Sequence, residues 1–134
     1  MRQDIEDLIK KDLVTIAVHD GTFHADDVFV TAILITYLTK WPLFRPTKAP
    51  HFEIIRTRDE EKLKEADFRL DVGEKYNPET GDFDHHQSEE KRENGVRFAS
   101  VGKLWKACGK DICEGDQKIA DFVEEKIIQF IDEQ

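Results

Sequence analysis

Leu13-Val14-Thr15-Ile16-Ala17-Val18 is the segment that most narrows the folds open to this chain of 134 residues. The run is nearly continuous in apolar, β-branched side chains, and Gly21 breaks it soon after. A strand apolar on both faces needs cover on both, which is the condition of a strand inside a parallel sheet. A helix is predicted next, from Asp26 to about Thr39. Its Val28, Phe29, Ala32, Ile33, Ile35 and Leu38 cover most of the circumference, so it should be well buried. Pro42, Pro46 and Pro50 then forbid regular structure and imply a surface loop.

The alternation continues down the chain. Phe52 to Thr57 reads as a second strand, and Asp59 opens a short helix ending near Lys64. Phe68-Arg69-Leu70-Asp71-Val72 reads as a third strand, stopped by Gly73. Asn77-Pro78-Glu79-Thr80-Gly81 is a turn signal, with Asp82-Phe83-Asp84 as a short hairpin return. A short amphipathic helix is expected over residues 1–11, and a further helix from Ser100 to about Cys108. A last helix, about Asp116 to Ile131, carries a stripe of Ile119, Phe122, Val123, Ile127, Phe130 and Ile131. Residues 88–97 are charged, contain Asn94-Gly95, and are expected to be mobile. Strands alternating with helices give an α/β fold, a mainly parallel sheet with flanking helices.

Size and charge bound the function. The length supports a single domain, and 39% hydrophobic residues with nine Phe suffice for its core. A formal net charge of −9 argues against a broad electrostatic grip on nucleic acid. It leaves room for a nucleic-acid end or a small phosphate ester held through metal ions. Cys108 and Cys113 are too few for a disulfide framework and lie far from the histidines, so they read as reduced thiols. The acidic start, Met1 to Leu8, lacks the apolar core of a signal peptide, and no run reaches the length of a membrane span. A soluble, cytoplasmic protein is expected.

Four of the five histidines fall in two clusters. The first, His19-Asp20-Gly21-Thr22-Phe23-His24-Ala25-Asp26-Asp27, follows the first strand. The second, Asp84-His85-His86, lies about a dozen residues beyond Asp71 at the end of the third. Ligands in a parallel sheet gather beyond the carboxyl ends of its strands, so His19 and Asp71 should point into one crevice. Imidazole suits transition metals, and a carboxylate can bridge two ions. The bland alternative makes Asp26 or Asp27 a helix cap and Asp71 an ion-pair partner. Capping explains one Asp but not the neighbouring histidines. Arg56 and Arg58, at the end of the second strand, would hold a phosphate oxygen or simply pair with Asp59 or Glu60. Ser100 is either an N-cap or the mark of a helix N-terminus near an anion.

His19 through Asp27, Arg56-Thr57-Arg58-Asp59, Asp71-Val72-Gly73 and Asp84-His85-His86-Gln87 together resemble the melanocyte-proliferating-gene-one family. Those proteins are distant relatives of the Asp-His-His (DHH) phosphoesterases. The resemblance runs from about Val14 to Trp105, with a weak tail toward Asp132. It implies that this chain is one metal-binding α/β domain, the N-terminal, DHH-phosphoesterase-like part of a longer architecture whose second, substrate-capping domain is absent. It further implies two divalent ions, Mn first and Zn, Co or Mg as alternatives. His19 and His24 would hold one, His24 standing where many superfamily members place an Asp. Asp26 and His85 would hold the other, Asp71 would bridge them, and Asp132 is the best match for one further carboxylate. His86 would face the substrate phosphate, with Asp84 orienting an imidazole from behind.

The reaction so implied is hydrolysis of a phosphodiester by metal-activated water, 3′–5′ exonuclease-like on RNA or short oligonucleotides. No nucleophile elbow or Walker A loop competes with it. A small-molecule phosphatase or pyrophosphatase is the nearest alternative. A non-catalytic metal-binding domain awaiting a partner domain or a second subunit is another, with Glu89-Glu90-Lys91-Arg92 a candidate lid.

Overall fold

The structure, a computed structural model, describes residues 1–40 and 50–134. Most of the proline-marked segment, 41–49, lies outside the described residues. Five strands form one sheet: β1 (Leu13–Val18), β2 (His51–Arg56), β3 (Phe68–Leu70), β4 (Tyr76–Asn77) and β5 (Asp82–Phe83). Their order is β2-β1-β3-β5-β4, parallel throughout except for β4 against β5. β1 is therefore an interior strand, paired on both edges, as its apolar run requires. Its alternate side chains divide between the faces. Val14, Ile16 and Val18 enter the main core, and Ala17 enters a small cluster with Leu63, Ala66 and Val72 on the other side.

The main core is built from α1 (Ile5–Ile9), α2 (Ala25–Lys40), α4 (Ser100–Ile112) and the C-terminal helical segments. Among the described residues the opposite face has only the short α3 (Glu60–Glu65), whose N-cap Asp59 accepts a hydrogen bond from the Glu61 amide as its sequence predicts. The C-terminal segments run α5 (Gln117–Val123), a π-helical turn (Glu124–Ile128) and α6 (Gln129–Asp132). The extra residue of a π turn rotates the helix face beyond it. Ala120, Ile128 and Ile131 are the buried side chains, whereas Ile119, Phe122, Ile127 and Phe130 are exposed. The apolar stripe read from the sequence is thus split between core and surface. α2 shows the same correction: Val30, Leu34, Tyr37 and Leu38 are buried, while Val28 and Phe29 face outward.

β3 ends two residues earlier than its sequence suggests, because Asp71 takes a left-handed backbone conformation (φ 54°). Residues 88–97 are tied down rather than loose. Lys91 and Arg97 bridge across the Asn94-Gly95 turn. Glu90 bonds Lys103 and Lys106 on α4 at 2.8 and 2.7 Å, which holds its carboxyl down at about 2. Arg92 binds Glu124 and Asp132. No helix among the described residues is long and apolar enough to cross a membrane.

Candidate metal centre

Because β1, β3 and β5 are parallel, their carboxyl ends lie along one edge of the sheet. His19 follows β1 directly, Asp71 follows β3, and Asp84-His85-His86 follows β5. The three sequence segments converge there in two groups, His19 with His24 and Asp27, and Asp71 with Asp84, His85 and His86.

The first group turns on His19, which is buried. Its Nδ1 lies 2.6 Å from the carbonyl of Asp20, which can only accept, so Nδ1 carries the proton. In the neutral ring Nε2 is then a bare lone pair, yet it sits 2.8 Å from Asp27 Oδ1 and 3.5 Å from Asp71 Oδ2. Asp27 divides its work between its two oxygens. Oδ2 accepts the His24 amide at 2.8 Å, the reach-back of an acidic residue toward a helix N-cap. Oδ1 is buried and, among the described residues, has no hydrogen-bond partner. Three acceptors facing one another in a buried space are stable around a cation and costly without one. His24 is exposed, with Nδ1 3.7 Å from Asp27 Oδ2.

In the second group, Asp71 Oδ1 lies 3.0 Å from His85 Nε2 and accepts the Ser100 hydroxyl at 3.0 Å. One oxygen of Asp71 thus faces each group. The strained backbone at Asp71 is what turns its carboxylate into this position instead of along the strand. Asp84, 1% exposed, accepts from the Glu74 and His85 amides and from His86 Nδ1 at 2.6 Å. That fixes the His86 ring and leaves Nε2 free of Asp84. His86, Asp71, Asp84 and His19 line one side of a cavity of about 810 Å3, with Arg58, Lys64 and Lys75 among its other walls.

Asp26 lies between the site and the core. Its carboxylate accepts the Ser100 and Val101 amides at 3.3 and 2.8 Å, and Oδ2 is 3.7 Å from His85 Nε2. α4 has no side-chain cap of its own at Ala99, so Asp26 supplies one from α2. Asp132 does the same from α6. Its Oδ1 accepts the Gly102 amide at 3.0 Å, and Oδ2 pairs with Arg92 at 2.6 Å. Gly102 is obligatory there, since a Cβ would overlap the Asp132 carboxylate. The structure therefore leaves Asp132 outside both groups, engaged by Arg92 and α4. Ser100 is not the cap residue, and the α4 N-terminus does face an anion, the carboxylate of Asp26.

The charges register this crowding. Burial first, then repulsion from Asp71, pushes the Asp26 carboxyl up to about 7. Asp27 is raised by burial first, then by the contact of its carboxyl with that of Asp71. Burial also raises Asp132. For Asp71, burial is outweighed by its bonding to His85, which holds it below the usual range. The bond to Asp71 in turn raises His85. Arg56 and Arg58, read as phosphate ligands or partners of Asp59 and Glu60, instead clamp the first cluster. Arg56 binds the Gly21 carbonyl, and Arg58 binds both the carbonyl and the carboxylate of Asp20. Asp27 is the site residue whose role the sequence left as a capping alternative. The signal was its place at the third helical position after His24, which buries it beside the end of β1.

Fold and site together define an α/β domain whose sheet carries, at its carboxyl edge, a cluster able to hold divalent cations. The chain belongs to the MYG1 family, described as an uncharacterised protein family (UPF0160), whose model matches residues 15–134. It is 34% identical over 123 residues to the MYG1 protein of Dictyostelium discoideum, covering 87% of this chain and 34% of that protein. It is 43% identical over 72 residues to the MYG1 exonuclease of Mus musculus, covering 54% of this chain and 17% of the relative. With the MYG1 protein of Chlamydia trachomatis it shares 38% over 73 residues, 54% of this chain and 22% of the relative. The chain thus spans about a third or less of these relatives. No solved structure matches it.

Proposed function

We propose that this chain is the metal-binding part of a divalent-metal-dependent phosphoesterase that hydrolyses phosphodiesters, 3′–5′ exonuclease-like on RNA or short oligonucleotides. The observation that carries the reading is the convergence of His19 Nε2, Asp27 Oδ1 and Asp71 Oδ2, with Asp27 Oδ1 buried and without a hydrogen-bond partner among the described residues. The family resemblance puts Mn first, with Zn, Co or Mg as alternatives, and a mixed imidazole and carboxylate donor set accommodates them. His19, His24 and Asp27 would hold one ion and Asp26 with His85 the second. Asp71 would serve both through its two oxygens. Asp132 is assigned a supporting role, holding α4 and hence Asp26 in place.

Two such ions, when bound, acidify water and offset charge on the phosphoryl oxygens. The chain's own residues do the rest. Asp84 fixes His86 through Nδ1, which leaves Nε2 available to a phosphoryl oxygen. Arg56 and Arg58 hold the His19–His24 loop in its ligating shape. The cavity of about 810 Å3 has room for a nucleotide-sized substrate. Nucleic acid as the substrate class is supported by the exonuclease named in Mus musculus. The net charge of −9 supports short strands or ends over a long duplex.

A second reading is a metal-binding domain that turns over substrate only with the rest of a longer protein. It is favoured by the 34% coverage of the Dictyostelium discoideum relative. Assay of the Mn-loaded chain against a short RNA, an aryl phosphodiester and pyrophosphate separates the readings. Release of mononucleotides from the 3′ end supports the proposal. Pyrophosphate cleavage alone would reassign the substrate, and silence on all three with metal bound would favour the second reading.

A further inference from the structure

Phe23 belongs to neither hydrophobic cluster and is 39% exposed, at the tip of the loop that carries His19 and His24. An apolar ring that adds nothing to the core would ordinarily be loose. Here it has two fixed neighbours. The Arg56 guanidinium stacks over the ring, 4.1 Å from its centroid. The same guanidinium is anchored by the Gly21 carbonyl. The His19 ring packs nearly perpendicular to Phe23, centroids 5.9 Å apart at 86°. His19 itself is fixed, with Nε2 directed at Asp27 and Asp71. A planar aromatic surface is thus held against His19, one of the proposed metal ligands, with a cation stacked on it.

We infer that Phe23, backed by Arg56, is a stacking shelf for the nucleobase of the nucleotide whose phosphate lies at the metal centre. This rests on the phosphoesterase reading and extends it by naming what is recognised beyond the phosphate. A base needs a flat π-surface, and a neighbouring guanidinium strengthens the stack. Every base has such a face, so the shelf selects nucleotides over other phosphate esters while discriminating little among sequences. A simple alkyl phosphate or pyrophosphate makes no use of it.

The test compares adenosine 5′-monophosphate with ribose 5-phosphate as ligands of the Mn-loaded full chain, by calorimetric titration. The wild type should bind the nucleotide about five- to a hundredfold more tightly, the range for one base–aromatic stack. Phe23→Leu should bring the two ligands to within about twofold, and Phe23→Tyr should keep the preference. Bound metal per chain, unchanged in both variants, reports that the loop is intact, and the wild-type comparison decides even if a variant fails to fold. Equal affinities in the wild type, or a preference that survives Phe23→Leu, would overturn the shelf while leaving the phosphoesterase reading untouched. Failure of the wild type to bind either ligand would count against both.

Discussion

Metal-free protein should become less stable as pH rises from the acid range to neutrality, and divalent metal should remove the loss. The perturbing group is Asp26, pushed up to about 7 from an ordinary 3.8 by burial and by Asp71. A carboxyl whose folded-state value lies above its unfolded value keeps its proton longer in the folded state. Between the two values the folded state binds more protons, so stability falls with rising pH. About three units at 1.36 kcal/mol each give a loss of about 4 kcal/mol, an upper figure for one group. Asp27 and Asp132 are raised and act in the same sense. His85 is raised too, so its contribution is present below its ordinary 6.5 and lost as pH climbs through the higher folded value. Asp71 and Glu90, held low, act only at the acid end, where stability is lost as pH falls toward their folded values. For a chain of this size the Asp26 share corresponds to a fall in Tm of about 10 °C or more between about pH 5 and pH 7.5. Thermal melts in chelator at those two pH values measure it. The same melts of Asp26→Asn should show a flatter dependence, and Mn in excess should raise the midpoint most at the higher pH. A metal-free midpoint equal or higher at the more alkaline pH would refute the reasoning.

The remaining expectations concern single residues. His86→Ala should keep the metal content of the wild type yet lower phosphodiester hydrolysis about 100- to 1000-fold, whereas His85→Ala should lose both an ion and activity; metal analysis beside a turnover assay separates these adjacent histidines. Asp132→Ala leaves Arg92 buried without its 2.6 Å partner and frees the Gly102 amide. Because Glu124 still pairs with Arg92, it should cost about 1–3 kcal/mol in denaturant unfolding, and ligation of the groups around His19 and Asp71 should survive once the protein is folded. Arg58→Ala removes the grip on Asp20 and should weaken Mn binding several-fold without removing any ligand; calorimetric affinities indistinguishable from the wild type would contradict the clamp.

The elements written in local patterns were legible. β1 is found residue for residue, Asp59 caps α3, and the parallel order places three strand ends along one edge. For β1 to β3 that order follows from β-α alternation, and it is why His19 and Asp71 could be placed together before their contacts were known; Asp84 joins them because β5 pairs parallel to β3 through the β4 hairpin. Other features depended on partners distant in sequence. Nothing local predicts that Asp26 and Asp132 cap α4 from two other helices, or that Arg56 and Arg58 reach back to Asp20 and Gly21. The C-terminal stripe misled because the buried positions are Ala120, Ile128 and Ile131, which leaves Phe122 outside ahead of the π turn and Phe130 outside beyond it. The charged 88–97 segment looked loose only because Lys103, Lys106 and Glu124, which hold it, lie later in the chain.

Whether the two groups at the sheet edge form one centre for two ions is the claim on which the rest depends, and Asp71 is where it can be tested. Its Oδ2 lies 3.5 Å from His19 Nε2 and its Oδ1 3.0 Å from His85 Nε2. Titration of metal-free protein with Mn should give two ions per chain in the wild type and one in His19→Ala. Asp71→Ala should lose tight binding at both. Negligible binding in the wild type, or Mn uptake unchanged by Asp71→Ala, would contradict the account.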